Sequence, residues 1–256
     1  SAFVSVSIAL VFFRVKESKF VGNKKEISVK NHIIAKISNP YIAEQFLKPS
    51  SDKLLKKLLD KNLITEEEAE IGRMIPIASD ITVEGDSGGH TDQKNPFTLL
   101  PVMIRLRDNM KKKYGYDYKV HIGLAGGIGT PESIAGAFVM GADYVVTGSI
   151  NQCTIEAGIS NTAKELLSKM NIFDTSIAPA GDMFEIGSKV QVYSKQNQFA
   201  IKANYLFDLY KKNNSINEIS EKDRNYLEKK VFKEPISSVW EKTKEYLKEN
   251  LPQHIL

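Results

Sequence analysis

Apolar residues recur along this chain in two alternating rhythms. Four short runs, "NHIIAKIS" (residues 31–38), "SDITVEG" (79–85), "YKVHIGLA" (118–125) and "DYVVTGS" (143–149), are strand-length and end in polar residues or glycine. Between them the spacing lengthens to that of amphipathic helices. "NPYIAEQFL" follows the first strand, with Asn39 as cap and Pro40 in the first turn. "SDKLLKKLLDKNL" repeats leucine at helical spacing, and "TEEE" (65–68) is a capping box opening a further short helix. Residues 95–115 and 130–142 predict the helices after the second and third strands. Thr130 caps the latter, Pro131 starts it and Gly141 ends it. Strand alternating with helix predicts βαβ units and a parallel sheet. Beyond residue 150 the rhythm changes. One apolar run, "KVQVYS" (189–194), is followed by three lysine-rich segments at helical spacing (200–212, 221–232 and 237–251). The expected division is therefore an α/β part, 1–150, and a helical extension packed on it, 151–256.

Composition changes this picture little. The chain has 256 residues, 42% of them hydrophobic, and a formal net charge of +4, enough for a sizeable core. Its charges are interspersed, which gives no nucleic-acid signature. The longest apolar stretch, residues 7–13, is too short to cross a bilayer. A single cysteine, Cys153, allows no intrachain disulfide and suits a reducing cytoplasm. No cysteine and histidine spacing suggests a metal site.

Two consecutive strands end in glycine turns, "AGGIGTPE" (125–132) and "VTGSIN" (146–151). Without a Cβ, backbone N–H groups can approach a ligand closely, and the helix starting at Pro131 adds the positive end of its dipole. Paired turns of this kind form the phosphate cradle at the end of a βα barrel, although each could equally be only a tight turn. The second strand ends in "VEGDSGGHTD" (83–92), where His90 follows three glycines.

The stretch 125–152 resembles the phosphate-binding end of the nitronate monooxygenase (2-nitropropane dioxygenase-like) superfamily of FMN barrels. "DITVEGDSGGHTD", "VTGSINQCTIEAG" and "APAGDMFEIGSKVQV" resemble more specifically the PfaD-type enoyl reductases of polyunsaturated fatty acid synthases and trans-acyltransferase polyketide synthases. The resemblance runs from Ser1 to the helices around Trp240. It implies a TIM-type (β/α)8 barrel whose fifth to eighth strands are the four found here. The first half-barrel is then expected in the full-length protein or on a separate chain, since four βα units leave sheet edges open and a closed barrel needs about 250 residues.

The resemblance also implies FMN, with NADPH or NADH as reductant, and an enoyl thioester carried on an acyl carrier protein. It makes Gly88, Gly89 and His90 the Gly-Gly-His at the end of the sixth strand, with His90 on the substrate side of the flavin as catalytic residue. Ala125, Gly126 and Gly127, then Thr147, Gly148 and Ser149, are the expected phosphate contacts, and Asn151 and Gln152 candidates for phosphate or ring. Lys36, a charge within a strand, either faces the flavin or reaches solvent. Glu84, Asp86 or Asp92 could orient the His90 imidazole. Cys153 is expected to be a small buried residue, and His32, His121 and His254 are assigned no role. Residues 178–184 are expected to help form a lid, and Lys211, Lys212, Lys229, Lys230 and Lys233 to offer an acidic carrier protein a docking face. The other readings are a nitronate monooxygenase, using oxygen, and a barrel that binds a phosphorylated ligand without redox chemistry.

Overall fold

The computed structural model of the protein describes residues 8–22 and 26–250. Residues 1–7, where the resemblance begins, and His254 lie outside the described residues. The elements run α1 (Ile8–Val15), an antiparallel pair β1 (Lys19–Val21) and β2 (Glu26–Ser28), then β3 (Ile34–Ile37) and α2 (Pro40–Leu47). Next come α3 (Asp52–Asp60), α4 (Glu66–Met74), β4 (Asp80–Glu84), the two-residue β5 (Gly89–His90) and α5 (Pro96–Tyr114). They are followed by β6 (His121–Ala125), α6 (Pro131–Val139), β7 (Tyr144–Val146) and α7 (Asn161–Ser168). The remaining elements are β8 (Thr175–Pro179), β9 (Lys189–Tyr193), α8 (Phe199–Lys212), α9 (Glu221–Tyr226) and α10 (Ile236–Asn250).

Local signals set the helix ends. The Asn39 side chain accepts from the Tyr41 N–H, and Thr65 and Glu68 close the expected capping box on α4. Asn95 caps α5, whose other end is Gly115 in the left-handed region at φ 66°. Thr130 and Ser133 box the start of α6, which stops at Val139, two residues before Gly141 at φ 98°.

The four expected strands pair in parallel in the order β3–β4–β6–β7, so neighbours in the chain are neighbours in the sheet. A doubly wound sheet would reverse this order at a switch point, whereas a barrel does not. Side chains sort by face. Ala35, Ile37, Ile81, Val83, Ile122 and Leu124 join one core with Phe46, Leu47, Leu100, Met103 and Ala137 of the helices. The other face carries the row Lys36–Thr82–Gly123–Tyr144, given by the strand register, and Glu84 at the end of β4. Helices on one face and a polar opposite face are what a barrel wall requires, and four consecutive parallel strands so arranged are consistent with part of a TIM-type barrel.

Arg14 of α1 holds the entry end of this wall. It is fully buried; its Nε donates to the Pro76 carbonyl at 3.2 Å and its Nη1 to the Asn31 carbonyl at 2.6 Å. Its guanidinium lies 4.8 Å from the centroid of the Tyr118 ring. These contacts reach the segments leading into β3, β4 and β6. Replacing Arg14 with alanine would leave a cavity and two carbonyls without their donor. A loss of about 3 kcal/mol in urea unfolding is expected; a change below about 0.5 kcal/mol would show that these contacts contribute little.

The chain divides into two compact units, Ser1–Met170 and Asn171–Leu256. The second is not purely helical. The apolar run at 189–194 forms β9 within the region read as a helical extension, and β8 pairs with it antiparallel, Thr175 opposite Tyr193 and Pro179 opposite Lys189. "TSIAP" has no clean alternation, which is why the sequence alone does not announce β8. Within this unit Leu209, Leu227 and Ile236 form a small core, and Phe184 meets Phe207 edge to face at 5.2 Å. The expected helix at 221–232 breaks into α9 and a π-helical stretch, Leu227–Phe232. Among the described residues no helix is long and apolar enough to cross a membrane.

Candidate active site

Three loops meet at the C-terminal ends of β4, β6 and β7. Gly126 sits at φ 92°, and a Cβ there would lie 2.7 Å from the backbone of Gly85 and Asp86. Only glycine lets the turn after β6 touch the turn after β4. The contact is tied by the Gly85 N–H, which donates to the Ala125 carbonyl at 2.7 Å. On the other side Gly88 lies against Ser149, whose Oγ would be 2.6 Å from an added Cβ. The Gly-Gly-His turn is thereby brought to both glycine turns that the sequence singles out.

Open space lies beside three of these glycines. An added Cβ would meet nothing within 4 Å at Gly89 or Gly148, and only the Asp86 carbonyl oxygen, at 3.9 Å, at Gly127. Gly127 adopts φ 71° and Gly89 φ 83°. Thr147 and Asn151 brace the β7 turn. The Asn151 Nδ2 donates to the Thr147 carbonyl at 3.0 Å, and the Thr147 hydroxyl donates to Asn151 Oδ1 at 3.1 Å. A short 3-10 turn, Ser149–Cys153, follows and leaves Gln152 exposed. Cys153 is only partly buried, against expectation, because it lies on this surface turn with its thiol 3.9 Å from the Ser149 carbonyl.

The loop carrying His90 is held from within. Thr91 is buried; its hydroxyl donates to Asp86 Oδ1 at 2.8 Å and accepts from the Gln93 N–H at 3.0 Å. Asp92 accepts a hydrogen bond from the Ser38 hydroxyl beyond β3. The three acids beside His90 thus have structural partners: Asp86 takes Thr91, Asp92 takes Ser38, and Glu84 takes Lys36, Nζ to Oε1 at 2.8 Å. His90 itself is exposed at the end of the loop.

Beneath the site lies a feature that sequence reasoning missed. The Tyr144 ring crosses the face of Gly123, and its hydroxyl shares a 2.8 Å hydrogen bond with Thr82. Burial raises the Tyr144 pKa, against the lowering effect of the Thr82 hydrogen bond, so the phenol remains neutral. Gly123 was the available signal, since a glycine inside a strand often marks a close approach. A Cβ at Gly123 would stand 2.2 Å from that ring. Gly123→Ala is therefore expected to displace Tyr144 and cost about 1–3 kcal/mol of stability in denaturant melts. A silent substitution would show that the ring has room to shift.

His32 and His121 both face Asp80 at the opposite end of the strands, at 3.9 and 3.1 Å, away from these loops.

The polyketide biosynthesis protein PksE of Bacillus subtilis (strain 168) is 51% identical over 240 residues, 94% of this chain and 31% of that protein. A polyunsaturated fatty acid synthase polypeptide of Thraustochytrium sp. (strain ATCC 26185 / S-3) is 39% identical over 222 residues, 86% of this chain and 11% of that protein. Among solved structures, the enoyl reductase domain of MlnA, from the macrolactin biosynthesis cluster of Bacillus amyloliquefaciens, superimposes with a TM-score of 0.88 at 41% identity. The match covers 98% of this chain and 56% of that one. Residues 213–256 also match the family described as [acyl-carrier-protein] S-malonyltransferase, inserted helical domain. The chain spans less than a third of the length of these curated relatives and just over half of the MlnA structure. Over nearly all of its length, then, the chain is homologous to segments of polyketide and polyunsaturated fatty acid synthesis proteins and to the enoyl reductase domain of MlnA.

Proposed function

We propose that this chain forms the phosphate-binding and proton-donating half of an FMN-dependent enoyl reductase. It would use NADPH or NADH to saturate an enoyl thioester on an acyl carrier protein, in polyketide or polyunsaturated fatty acid biosynthesis. The observation that carries the reading is the convergence of the Gly-Gly-His loop with both glycine turns, Gly126 against Gly85 and Gly88 against Ser149. The residues present fit the flavin. Open space beside Gly127 and Gly148 leaves room for a phosphate at their backbone amides, and the Ser149 hydroxyl adds a donor. Gly88 and Gly89 keep the strand end free of bulk for a flat ring, and Lys36 on the open face of β3 can offset negative charge.

Bound there, FMN supplies hydride transfer from the nicotinamide to the β-carbon of the unsaturated thioester. The chain's own work is positional and protic. His90, on an exposed turn held by Thr91, donates from a ring nitrogen to the thioester oxygen, where negative charge develops, or delivers the proton to the α-carbon. The tightly hydrogen-bonded loop limits its wandering, which preserves the alignment that catalysis needs. An acidic carrier protein suits Lys229 and Lys230 of the π-helical stretch and Lys233, which adopts φ 62° at its end. The other half of the barrel, in the same full-length protein or on a separate chain, would pair with the outer edges of β3 and β7.

The test uses the full-length protein. It should purify with flavin absorbance, lose that absorbance anaerobically with NADPH or NADH, and regain it when an enoyl thioester on the carrier protein is added. Oxygen uptake with an alkyl nitronate and no thioester response would favour a nitronate monooxygenase. A colourless protein that takes up no flavin would leave a non-redox phosphate-binding barrel.

A further inference from the structure

Lys36 and Glu84 belong to neighbouring strands, and Lys36 stands opposite Thr82, two residues before Glu84. The lysine therefore leans along the sheet toward the strand ends, where its Nζ reaches Glu84 Oε1 at 2.8 Å. The lysine side chain is 55% exposed, whereas the carboxylate is only 15% exposed. The same Oε1 lies 3.3 Å from the Ser87 hydroxyl, which lies 3.2 Å from the His90 carbonyl oxygen. A hydroxyl has one proton, so Ser87 donates to Glu84 or to His90 at any moment, not to both. Glu84 is thus the shared anchor of a strand lysine and of the loop that carries His90.

We infer that Glu84 is a positioning residue. It holds the Lys36 ammonium at the rim of the flavin site and offsets its charge, so the pair, rather than Lys36 alone, sets how strongly the site favours reduced over oxidised flavin. The inference rests on the flavin reading above. Its physical basis is that the reduced ring carries more negative charge than the oxidised one, and a nearby unbalanced cation favours it. Glutamine at position 84 fills the same volume and keeps an oxygen for Ser87 and Lys36, but lacks the charge.

The measurement is the midpoint potential of FMN bound to the full-length protein, with the oxidised-FMN dissociation constant measured in parallel. Glu84→Gln should shift the preference toward reduced flavin about tenfold, ~30 mV for a two-electron couple. Lys36→Met should shift it about as far the other way, and the double variant should return close to wild type. Ser87→Ala, which loosens the loop and leaves the charge pair, should not move the potential. Unchanged potentials in Glu84→Gln and Lys36→Met with FMN still bound would overturn the inference alone. Equal shifts in Ser87→Ala and Glu84→Gln would overturn it too, by showing that loop order rather than charge is being read. Failure of the wild-type protein to bind FMN would overturn the flavin reading and this inference with it.

Discussion

Replacing His90 with alanine is expected to slow consumption of the enoyl thioester by about 10²–10⁴-fold, the size of a lost general acid. Oxidation of NADPH or NADH with an artificial electron acceptor should meanwhile stay near the wild-type rate. The expectation follows from where the side chain stands. His90 is exposed at the end of a loop that Thr91 and Asp86 hold from within, so its removal leaves those contacts standing. Stopped-flow comparison of the two half-reactions separates the possible roles. A deficit confined to nicotinamide oxidation would move His90 to the first half-reaction, and no deficit in either would remove it from the mechanism.

Gly148→Leu should abolish flavin retention while the fold persists. At Gly127 a side chain would meet a left-handed backbone at φ 71°, so lost flavin there could reflect strain. Gly148 has φ −123°, outside that region, and an added Cβ meets nothing within 4 Å. A leucine there would project into the open space assigned to the phosphate. Flavin content per chain, read by absorbance after desalting, should fall about tenfold or more, with a melting temperature within a few degrees of wild type. Full flavin occupancy in this variant would remove the β7 turn from the cradle.

Local chemistry made much of this protein legible before any coordinates. Asn39, Thr65, Asn95 and Thr130 are helix caps because their side chains satisfy amides a few residues away, a relation contained within each short segment. The four strands and their parallel pairing followed from the alternating βα rhythm, whereas their sequential order was what the family resemblance implied. The glycine turns and His90 stood out because small residues and an imidazole at a strand end bury little. The helix expected at 221–232 was legible too, but not its π-helical second half, because i to i+5 bonding leaves no distinct periodicity in so short a stretch.

Tertiary structure alone decided what depends on register and on contacts distant in sequence. Whether Lys36 would meet a partner was open until β3 and β4 paired and set it diagonally before Glu84. Gly123 shows nothing of Tyr144 until β6 and β7 lie side by side, and Arg14 reveals its burial only when the segments before β3, β4 and β6 gather around it. Gly88 and Ser149 are far apart in the chain yet in contact in space. The sequence by itself determined the parts of the site, because caps, turns and glycine conformations are short-range. Their assembly was decided by strand pairing, because hydrogen-bond register between distant segments is settled only by the packing of the whole sheet against its helices.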